Sequence, residues 1–388
     1  MKADFIAGNA VQLLEMGSAY FPALLAAIDL AEVEIYLESY IFADDDTGRA
    51  VGASLARAAR RDVVVRVLVD GFGARTFLDG LGRRLVESGV EVQVYRPDVA
   101  TLNFRRHRLR RLHRKLAVID GRVAFVGGIN VIDDMDTPRQ VPPRFDYAVQ
   151  ITGPLLPRIH HAVRHLWLLV RWTNFGRREP APRPRISGRP TGDMEAAFIL
   201  RDNLRHRRDI EEAYLEAIGA AREEVILASA YFLPGIRFRH ALMDAAQRGV
   251  RVVVLLQGRS EYLLFHYATK ALYGNLIAAG VSIVEYRRSF LHAKVAVVDG
   301  HWATVGSSNI DPFSLLLARE ANVLVRHSGF AGQLRQSLHR AISDGGTVVG
   351  TRDLQNRPLH VRVACWLAYA AVRLAVGIAG YGAGQHRT

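Results

Sequence analysis

Two stretches of the chain carry the same kinds of reactive side chain at the same spacing. Each holds a histidine, a lysine two positions later, an aspartate, a small residue and an asparagine: His113, Lys115, Asp120, Gly128 and Asn130 in the first, and His292, Lys294, Asp299, Ser307 and Asn309 in the second. Alternate residues of a strand share a face, so the histidine and lysine of each stretch point the same way. The Asp-Gly pairs at 120–121 and 299–300 favour tight hairpin turns. We therefore predict two hairpins that each present an imidazole, an ammonium group and a carboxamide.

This set of side chains suits phosphoryl transfer without a metal or a cofactor. Fixed cations and amide donors stabilise the charge that a phosphodiester carries on its equatorial oxygens during displacement. Two histidines allow a covalent route, in which one imidazole attacks phosphorus while the other protonates the leaving alcohol and then deprotonates the acceptor. A single His-x-Lys would more simply be a solvated strand edge. The second copy, with the same spacing to an aspartate and an asparagine, argues against that interpretation.

The two stretches belong to a longer internal repeat. Residues 33–42 are similar to residues 225–232, and residues 63–71 to residues 250–258. Near-continuous apolar runs are typical of strands covered on both faces, so the sequence predicts a duplicated α/β fold. The two units are predicted at 1–172 and 193–350. A linker rich in proline, arginine and glycine separates them at 173–192, and an apolar segment follows at 351–388.

Composition narrows the classes of protein that fit. The 388 residues are 49% hydrophobic and 23% charged, which excludes intrinsic disorder and fibrous architectures. The single cysteine, Cys365, excludes a disulfide framework and a cysteine-based zinc site, and it fits a reducing compartment. The net charge of +13 indicates a polyanionic partner, either nucleic acid or an anionic membrane.

The apolar run at residues 363–380 is interrupted only by Arg373. Its length is marginal against the ~20 residues that cross a bilayer. A central arginine also costs about 3 kcal/mol on insertion. We therefore expect this segment to lie in the membrane interface rather than to span it, with packing on the protein body as the alternative. The start of the chain carries no pattern of a secretory signal.

No metal site is predicted. Three histidines on a predicted helix, His160, His161 and His165, have metal-like spacing. Because no carboxylate lies near them in sequence, they are interpreted as ordinary polar positions of a helix.

The chain resembles the phospholipase D superfamily. The signature of that superfamily, His-x-Lys-x4-Asp-x6-Gly-[Gly/Ser]-x-Asn, is present twice and complete. The resemblance extends from about Gly8 to Val325, and residues 306–314 and 320–323 are most similar to short bacterial cardiolipin synthases. It implies two α/β sandwich units related by a pseudo-twofold axis, each a mixed sheet flanked by helices. The two motifs would then share one site.

The resemblance also implies a role for each motif residue. His113 would be the nucleophile that becomes phosphohistidine, and His292 would be the acid and base. The phosphate would be bound by Lys115, Lys294, Asn130, Asn309, Gly128 and Ser307. Asp146 and Glu320 would orient the histidines, each across the interface. Asp120 and Asp299 complete the catalytic signature, but we expect them to brace the hairpins rather than touch substrate.

Two positions depart from the resemblance. Cardiolipin synthases often carry arginine and asparagine where this chain has Phe313 and Ala318. Both positions lie near the loop of the second motif, so the departure concerns selectivity for the headgroup or the acceptor.

The function predicted first is a phosphatidyltransferase that makes cardiolipin from phosphatidylglycerol and a second phospholipid. Its partners would be phospholipids and an anionic membrane surface, at the cytoplasmic face of a bacterial inner membrane. Hydrolysis to phosphatidic acid, as by phospholipase D, would use the same residues and stays open. So does the oligomeric state.

Two other functions are less favoured. A nuclease of the same superfamily is suggested by the basic run at 105–111, which could bind nucleic acid or lipid headgroups. No aromatic residues interleave that run, so no nucleic-acid partner is expected. A scaffold without catalytic activity is disfavoured because both motifs are complete.

Overall fold

The computed structural model describes residues 3–97, 110–137, 140–174, 186–202, 206–259, 262–312, 314 and 318–380. Strands in the first half of the chain are β1 (Ile6–Glu15), β2 (Glu34–Ser39), β3 (Val64–Asp70), β4 (Glu91–Tyr95), β5 (Lys115–Ile119), β6 (Val123–Gly127), β7 (Arg144–Phe145) and β8 (Tyr147–Thr152). Those in the second half are β9 (Met194–Arg201), β10 (Glu224–Ser229), β11 (Arg251–Gln257), β12 (Ser282–Tyr286), β13 (Phe290–Leu291), β14 (Lys294–Val298), β15 (Trp302–Gly306), β16 (Glu320–Arg326) and β17 (Gly346–Val348).

Helices flank these strands in both halves. In the first half they are α1 (Met16–Asp29), α2 (Asp46–Ala59), α3 (Arg75–Asp79), α4 (Leu81–Glu87) and α5 (Leu156–Thr173). In the second half they are α6 (Asp209–Ala220), α7 (Ile236–Gln247), α8 (Leu263–Lys270), α9 (Tyr273–Ala278), α10 (Ser328–Gly345), α11 (Thr351–Gln355) and α12 (Leu359–Gly380).

Strand order confirms the duplicated fold. The main sheet runs β4-β3-β2-β5-β6-β8-β1-β9-β16-β15-β14-β10-β11-β12-β17, so the strands on either side of the β1–β9 pair follow the same order outward. In each half three strands are parallel, β2-β3-β4 and β10-β11-β12, and the remaining pairs are antiparallel. Each unit is therefore a mixed sheet with helices against it.

The two halves share a hydrophobic core. One cluster of buried side chains combines both halves of the sheet with helices α5 and α10. Separate outer clusters lie under α1 and α2 in the first half and under α6 and α7 in the second. Strands β1 and β9 pair through Ile6 with Ala196 and Asn9 with Met194, which makes the sheet continuous between the halves. We propose that the boundary between the units lies within 173–192; residues 175–185 of that stretch are outside the described residues.

The last long helix has two apolar faces. Cys365, Ala368 and Val372 recur at helical spacing and are buried; Ala368 and Val372 belong to the core of the second half. Trp366 and Leu367 lie on the other side and are more than half exposed. Within the described residues, no helix combines the length and apolar character needed to cross a bilayer.

The motif aspartates stand at the turns of the two hairpins. Asp120 accepts hydrogen bonds from the backbone N–H groups of residues 32, 33 and 34 at 2.8–2.9 Å. Asp299 accepts from residues 222, 223 and 224, each at 2.9 Å. Both aspartates have a positive φ, as do the glycines that follow them, as expected for a tight hairpin turn. Each carboxylate thus ties its hairpin to the start of the neighbouring strand, β2 or β10.

Replacing either aspartate by asparagine is expected to lower the free energy of unfolding. The amide presents N–H groups where backbone N–H donors need an acceptor, so Asp120→Asn and Asp299→Asn should each cost about 1–3 kcal/mol. Urea denaturation measures the loss. Asp79→Asn, at an exposed carboxylate, is the control. An unchanged urea midpoint in both hairpin variants would contradict the bracing role.

The same interaction gives a pH dependence. Burial raises the pKa of Asp299, but the three backbone N–H groups together lower it more, so the pKa lies below its ordinary value. A carboxyl whose pKa is depressed on folding contributes stability that is complete above its unfolded pKa, about 4, and is lost as the pH falls further. Wild-type protein should therefore lose more stability below about pH 4 than Asp299→Asn does.

Candidate active site

Short strand pairings between the two halves bring the histidines together. The backbone N–H of His113 donates to Arg319 O at 2.9 Å, and that of His292 donates to Phe145 O at 2.8 Å. Strand β13, just before His292, pairs in parallel with β7 of the other half. An equivalent bridge joins Leu112 to Arg319. Each histidine therefore lies beside the segment that leads into a carboxylate of the other half.

Each imidazole is held by that carboxylate. Nδ1 of His113 lies 2.9 and 3.1 Å from the two carboxylate oxygens of Glu320, and Nδ1 of His292 lies 2.6 Å from Asp146 Oδ2. A carboxylate at Nδ1 fixes the ring orientation and favours the tautomer with its proton on that nitrogen. Nε2 is then the nitrogen that can attack a substrate or exchange a proton with it.

Both motif lysines are buried beside the histidines. Lys115 Nζ donates to the carbonyl oxygen of His113 at 2.7 Å. Lys294 Nζ lies 3.2 Å from Asp146 Oδ2 and 2.7 Å from His292 Nδ1, and it also donates to the carbonyl oxygen of His292. The exposed fractions of the two lysines are only 3% and 1%. The site thus concentrates two cations where water cannot screen them well.

Burial and neighbouring charges change the protonation of these groups. Burial lowers the pKa of His113, and burial and Lys294 lower the pKa of His292 to about 3. The lowered pKa values favour the neutral form of both imidazoles near pH 7. Burial lowers the pKa of Lys115 to about 7. Burial raises the pKa of Asp146, but Lys294 and His292 lower it more.

The small residue of each motif fits the carboxylate beside it. A Cβ on Gly128 would lie 2.5 Å from Asp146 Oδ2, so only glycine leaves room for this carboxylate. At the equivalent position Ser307 donates its hydroxyl to Glu320 Oε2 at 2.5 Å. The carboxylate that contacts the histidine is therefore accommodated differently at the two motifs. Glycine leaves room for the aspartate, and serine donates a hydrogen bond to the longer glutamate.

The two asparagines follow the return strands of the hairpins, and both are buried. Asn130 Oδ1 accepts the backbone N–H of Ile41 at 3.1 Å. Asn309 Oδ1 is buried and has no hydrogen-bond partner among the described residues. The motif aspartates, in contrast, lie at the other end of the hairpins. Asp120 follows Lys115 by five residues, about 16 Å along a strand, so the structure separates it from the histidines.

Sequence reasoning missed two residues that position the histidines. Asp70, at the end of β3, accepts the backbone N–H of Leu112 at 2.8 Å. Gln257, at the end of the equivalent strand β11, accepts the backbone N–H of Leu291 at 3.0 Å. Each side chain fixes the residue just before a motif histidine. The internal repeat aligned the ends of β3 and β11. Because the residue there is an aspartate in one half and a glutamine in the other, no shared residue type indicated a common role.

A buried ion pair in the first half was also missed. Arg114 lies between His113 and Lys115 and makes two hydrogen bonds to Glu38, at 2.7 and 2.6 Å. The equivalent positions in the second half are Ala228 and Ala293, as the register of β2 and β10 with their neighbours shows. The sequence signal for this pair was the acidic Glu38 within a buried strand, matched by the basic Arg114 between the motif histidine and lysine.

Nothing within the described residues gathers three or more histidine, cysteine or acidic side chains in a way that could hold a metal. The interpretation of His160 as an ordinary polar helix position was wrong. This side chain is buried, and its Nε2 lies 2.5 Å from Glu34 Oε1, a partner 126 residues earlier in the chain. His161 and His165 stack on each other, with ring centroids 6.0 Å apart.

Of the two departures from the resemblance, one can be placed. Ala318 lies two residues before Glu320, and its backbone carbonyl accepts a hydrogen bond from the Arg201 guanidinium. Phe313 and residues 105–109 of the basic run lie outside the described residues.

Comparison with solved structures shows the fold class. The crystal structure of phosphatidylserine synthase from Haemophilus influenzae Rd KW20 matches with a TM-score of 0.70, covering 97% of this chain and 96% of that chain at 14% identity. At this identity the match concerns the fold alone. It agrees with the duplicated mixed α/β fold described above.

Comparison with protein families is more specific. The family described as "Cardiolipin synthase, PLD-like domain" matches residues 24–135 and 214–342. Cardiolipin synthase B of Escherichia coli K12 is 40% identical over 88% of this chain and 83% of that protein. The major cardiolipin synthase of Bacillus subtilis 168 is 28% identical over 93% of this chain and 74% of that protein. The chain belongs to the cardiolipin synthase family of the phospholipase D superfamily, and it is an enzyme.

The lowered pKa of Lys115 can be measured directly, because the chain has only four lysines. In protein labelled with ¹³C-lysine, one Cε signal should titrate near pH 7 and should be absent from Lys115→Met. Glu320 raises the pKa of Lys115, so Glu320→Gln should move this titration to lower pH. A Lys115 signal that titrates only near pH 10 would contradict the burial of the charge.

Exchanging the small residues between the motifs tests the fit around the carboxylates. Gly128→Ser should push Asp146 away and remove the preference for a proton on His292 Nδ1, as measured by ¹⁵N NMR of the imidazole. Ser307→Gly is the matched variant: it removes a donor to Glu320 but creates no clash, so His113 should keep its tautomer. If Gly128→Ser and Ser307→Gly change the tautomers of His292 and His113 equally, the steric clash with Asp146 is not what determines the tautomer.

Proposed function

We propose that this enzyme transfers a phosphatidyl group from phosphatidylglycerol to a hydroxyl of a second phospholipid, making cardiolipin. The observation that carries the proposal is the pair of imidazoles held at Nδ1 by carboxylates of opposite halves, between two buried lysines. The names of the cardiolipin synthases to which the chain is 28–40% identical support the choice of lipid.

In the first step His113 attacks phosphorus through Nε2. A P–N bond forms, the bond from phosphorus to the glycerol oxygen of the headgroup breaks, and His292 gives its Nε2 proton to that oxygen. Glu320 stabilises the positive charge that develops on His113. The lysines and the anionic phosphodiester attract each other, and the bound anion favours the protonated form of His292 that this step needs.

In the second step His292, now neutral, takes the proton from a hydroxyl of the second phospholipid. That oxygen forms a new bond to phosphorus while the P–N bond breaks, which returns His113 to its neutral state. Water in place of the lipid hydroxyl gives phosphatidic acid through the same residues. The chemistry of the site is therefore the same for transfer and hydrolysis, and the acceptor decides the product.

A membrane surface is the place where both lipids are available. The exposed apolar face of α12, with Trp366 and Leu367, and the exposed Leu263 at the start of α8 support peripheral attachment. The net charge of +13 adds attraction to anionic lipids, about 1 kcal/mol for each basic residue close to the surface. We propose the cytoplasmic face of a bacterial inner membrane as the location.

Product analysis with variants of each histidine tests this function. Vesicles of phosphatidylglycerol should yield cardiolipin and free glycerol by mass spectrometry, and EDTA should leave the rate unchanged. His113→Ala and His292→Ala should each lower this rate by at least 10³-fold, because each removes a group used in bond making. The proposal fails if wild-type protein forms no cardiolipin, or if either variant stays active.

An activated donor distinguishes the roles of the two histidines. A phosphatidyl ester of p-nitrophenol needs no protonation of its leaving group. His292→Ala should therefore release one equivalent of nitrophenol and retain the phosphatidyl group on the protein through a P–N linkage that is labile in acid and stable in alkali. His113→Ala should show neither. The opposite pattern would assign the nucleophile to His292.

A further inference from the structure

The two histidines differ in what lies beside them. The ring of Tyr40 contacts that of His113, with centroids 5.0 Å apart. Ser39 and Ser229 end the equivalent strands β2 and β10, and Phe42 and Phe232 make equivalent bridges to the residues that follow the motif asparagines. The second-half counterpart of Tyr40 is therefore Ala230. A large aromatic side chain beside the first histidine is replaced by a methyl group beside the second.

A pocket opens where the second half lacks that aromatic ring. It is a small, open pocket with a cavity volume of about 40 Å³, and Ala230, Tyr231, Tyr262, Phe265 and Phe290 are among the residues that line it. It lies beside the second motif, because the Phe290 and His292 rings are 5.8 Å apart and the N–H of Ala230 donates to Ala293 O at 3.0 Å.

We propose that this pocket binds the glycerol end of the alcohol that leaves the donor and, in the second step, of the alcohol that accepts the phosphatidyl group. The inference rests on the proposed function. His113 attacks phosphorus from the side opposite to the leaving oxygen, so the alcohol must lie on the side of His292, which exchanges its proton. The first histidine needs no such space, and Tyr40 occupies it.

The composition of the pocket fits a glycerol unit. The aromatic rings offer apolar faces to its C–H groups, and Arg259 adds a charged group to the lining. A glycerol hydroxyl can come from free glycerol or from the headgroup of phosphatidylglycerol. At the rim of the pocket Leu263 and Leu264 are 67% and 50% exposed, next to the lining residue Tyr262. An apolar rim beside a cationic group favours a hydroxyl carried by an anionic lipid.

The test compares products within one reaction. Phosphatidylglycerol vesicles with deuterated glycerol give three products: cardiolipin from the lipid acceptor, deuterated phosphatidylglycerol from free glycerol, and phosphatidic acid from water. Ala230→Tyr places in the second half the residue that the first half has at this position. It should lower the ratio of each transfer product to phosphatidic acid at least tenfold, because the filled pocket still admits water.

Two further variants separate the sources of the hydroxyl and provide the control. Leu263→Ser combined with Leu264→Ser should lower cardiolipin at least threefold relative to deuterated phosphatidylglycerol if the lipid acceptor enters over this rim. An equal loss of both would assign the pocket to glycerol as such and overturn the lipid-borne source. Ala53→Tyr adds the same side chain at an exposed position of α2, and it should keep the wild-type product ratios.

Thermal unfolding shows whether Ala230→Tyr folds. If it does not, Ala230→Val, which adds a smaller side chain, should still lower the ratio of each transfer product to phosphatidic acid at least threefold. Folded Ala230 variants with product ratios within twofold of wild type would overturn the pocket assignment. Wild-type protein that forms none of the three products would instead overturn the proposed function, so the two failures are distinguishable.

Discussion

The structure of this enzyme depends on one exchange between its halves: each motif histidine takes its carboxylate from the other repeat. His113 contacts Glu320, and His292 contacts Asp146. Neither repeat alone contains an oriented imidazole, so one copy of the fold would have the motif without the site. The continuous sheet through β1 and β9, the shared core and the cross-paired strands β7 and β13 all maintain this exchange.

The charges buried at the site explain why so many contacts between the halves are needed to hold it together. Moving a charged group out of water costs several kcal/mol after relaxation, and this site buries two ammonium groups and two carboxylates. Their mutual attraction offsets part of the cost, and the lowered pKa values of Lys115 and Lys294 show the part that remains. In the reaction that we propose, an anionic phosphodiester bound between the lysines supplies the missing negative charge. The free enzyme is thus arranged for an anion before one binds.

The sequence predicted the parts of this arrangement that repeat. Duplication, the mixed sheets and the paired motifs follow from identical spacing in both halves, and the strand order agrees with that prediction. It could not predict residues that differ between the halves. Asp70 and Gln257 accept the same kind of backbone hydrogen bond with different functional groups. The ion pair between Glu38 and Arg114 has only alanines at the equivalent positions of the second half. Contacts across long separations, such as His160 with Glu34, also leave no local pattern.

Those differences have a chemical reason. In the mechanism that we propose, one histidine holds phosphorus covalently and the other exchanges protons with two successive alcohols, so the two imidazoles have different tasks. Several of the differences lie beside the histidines themselves: Tyr40 against Ala230, and Gly128 with Asp146 against Ser307 with Glu320. Both lysines donate to the carbonyl oxygen of the motif histidine in their own half, but only Lys294 also contacts Nδ1 of that histidine. A duplicated fold provides two equivalent imidazoles, and in the proposed mechanism the residues that differ around them let one act as nucleophile while the other exchanges protons.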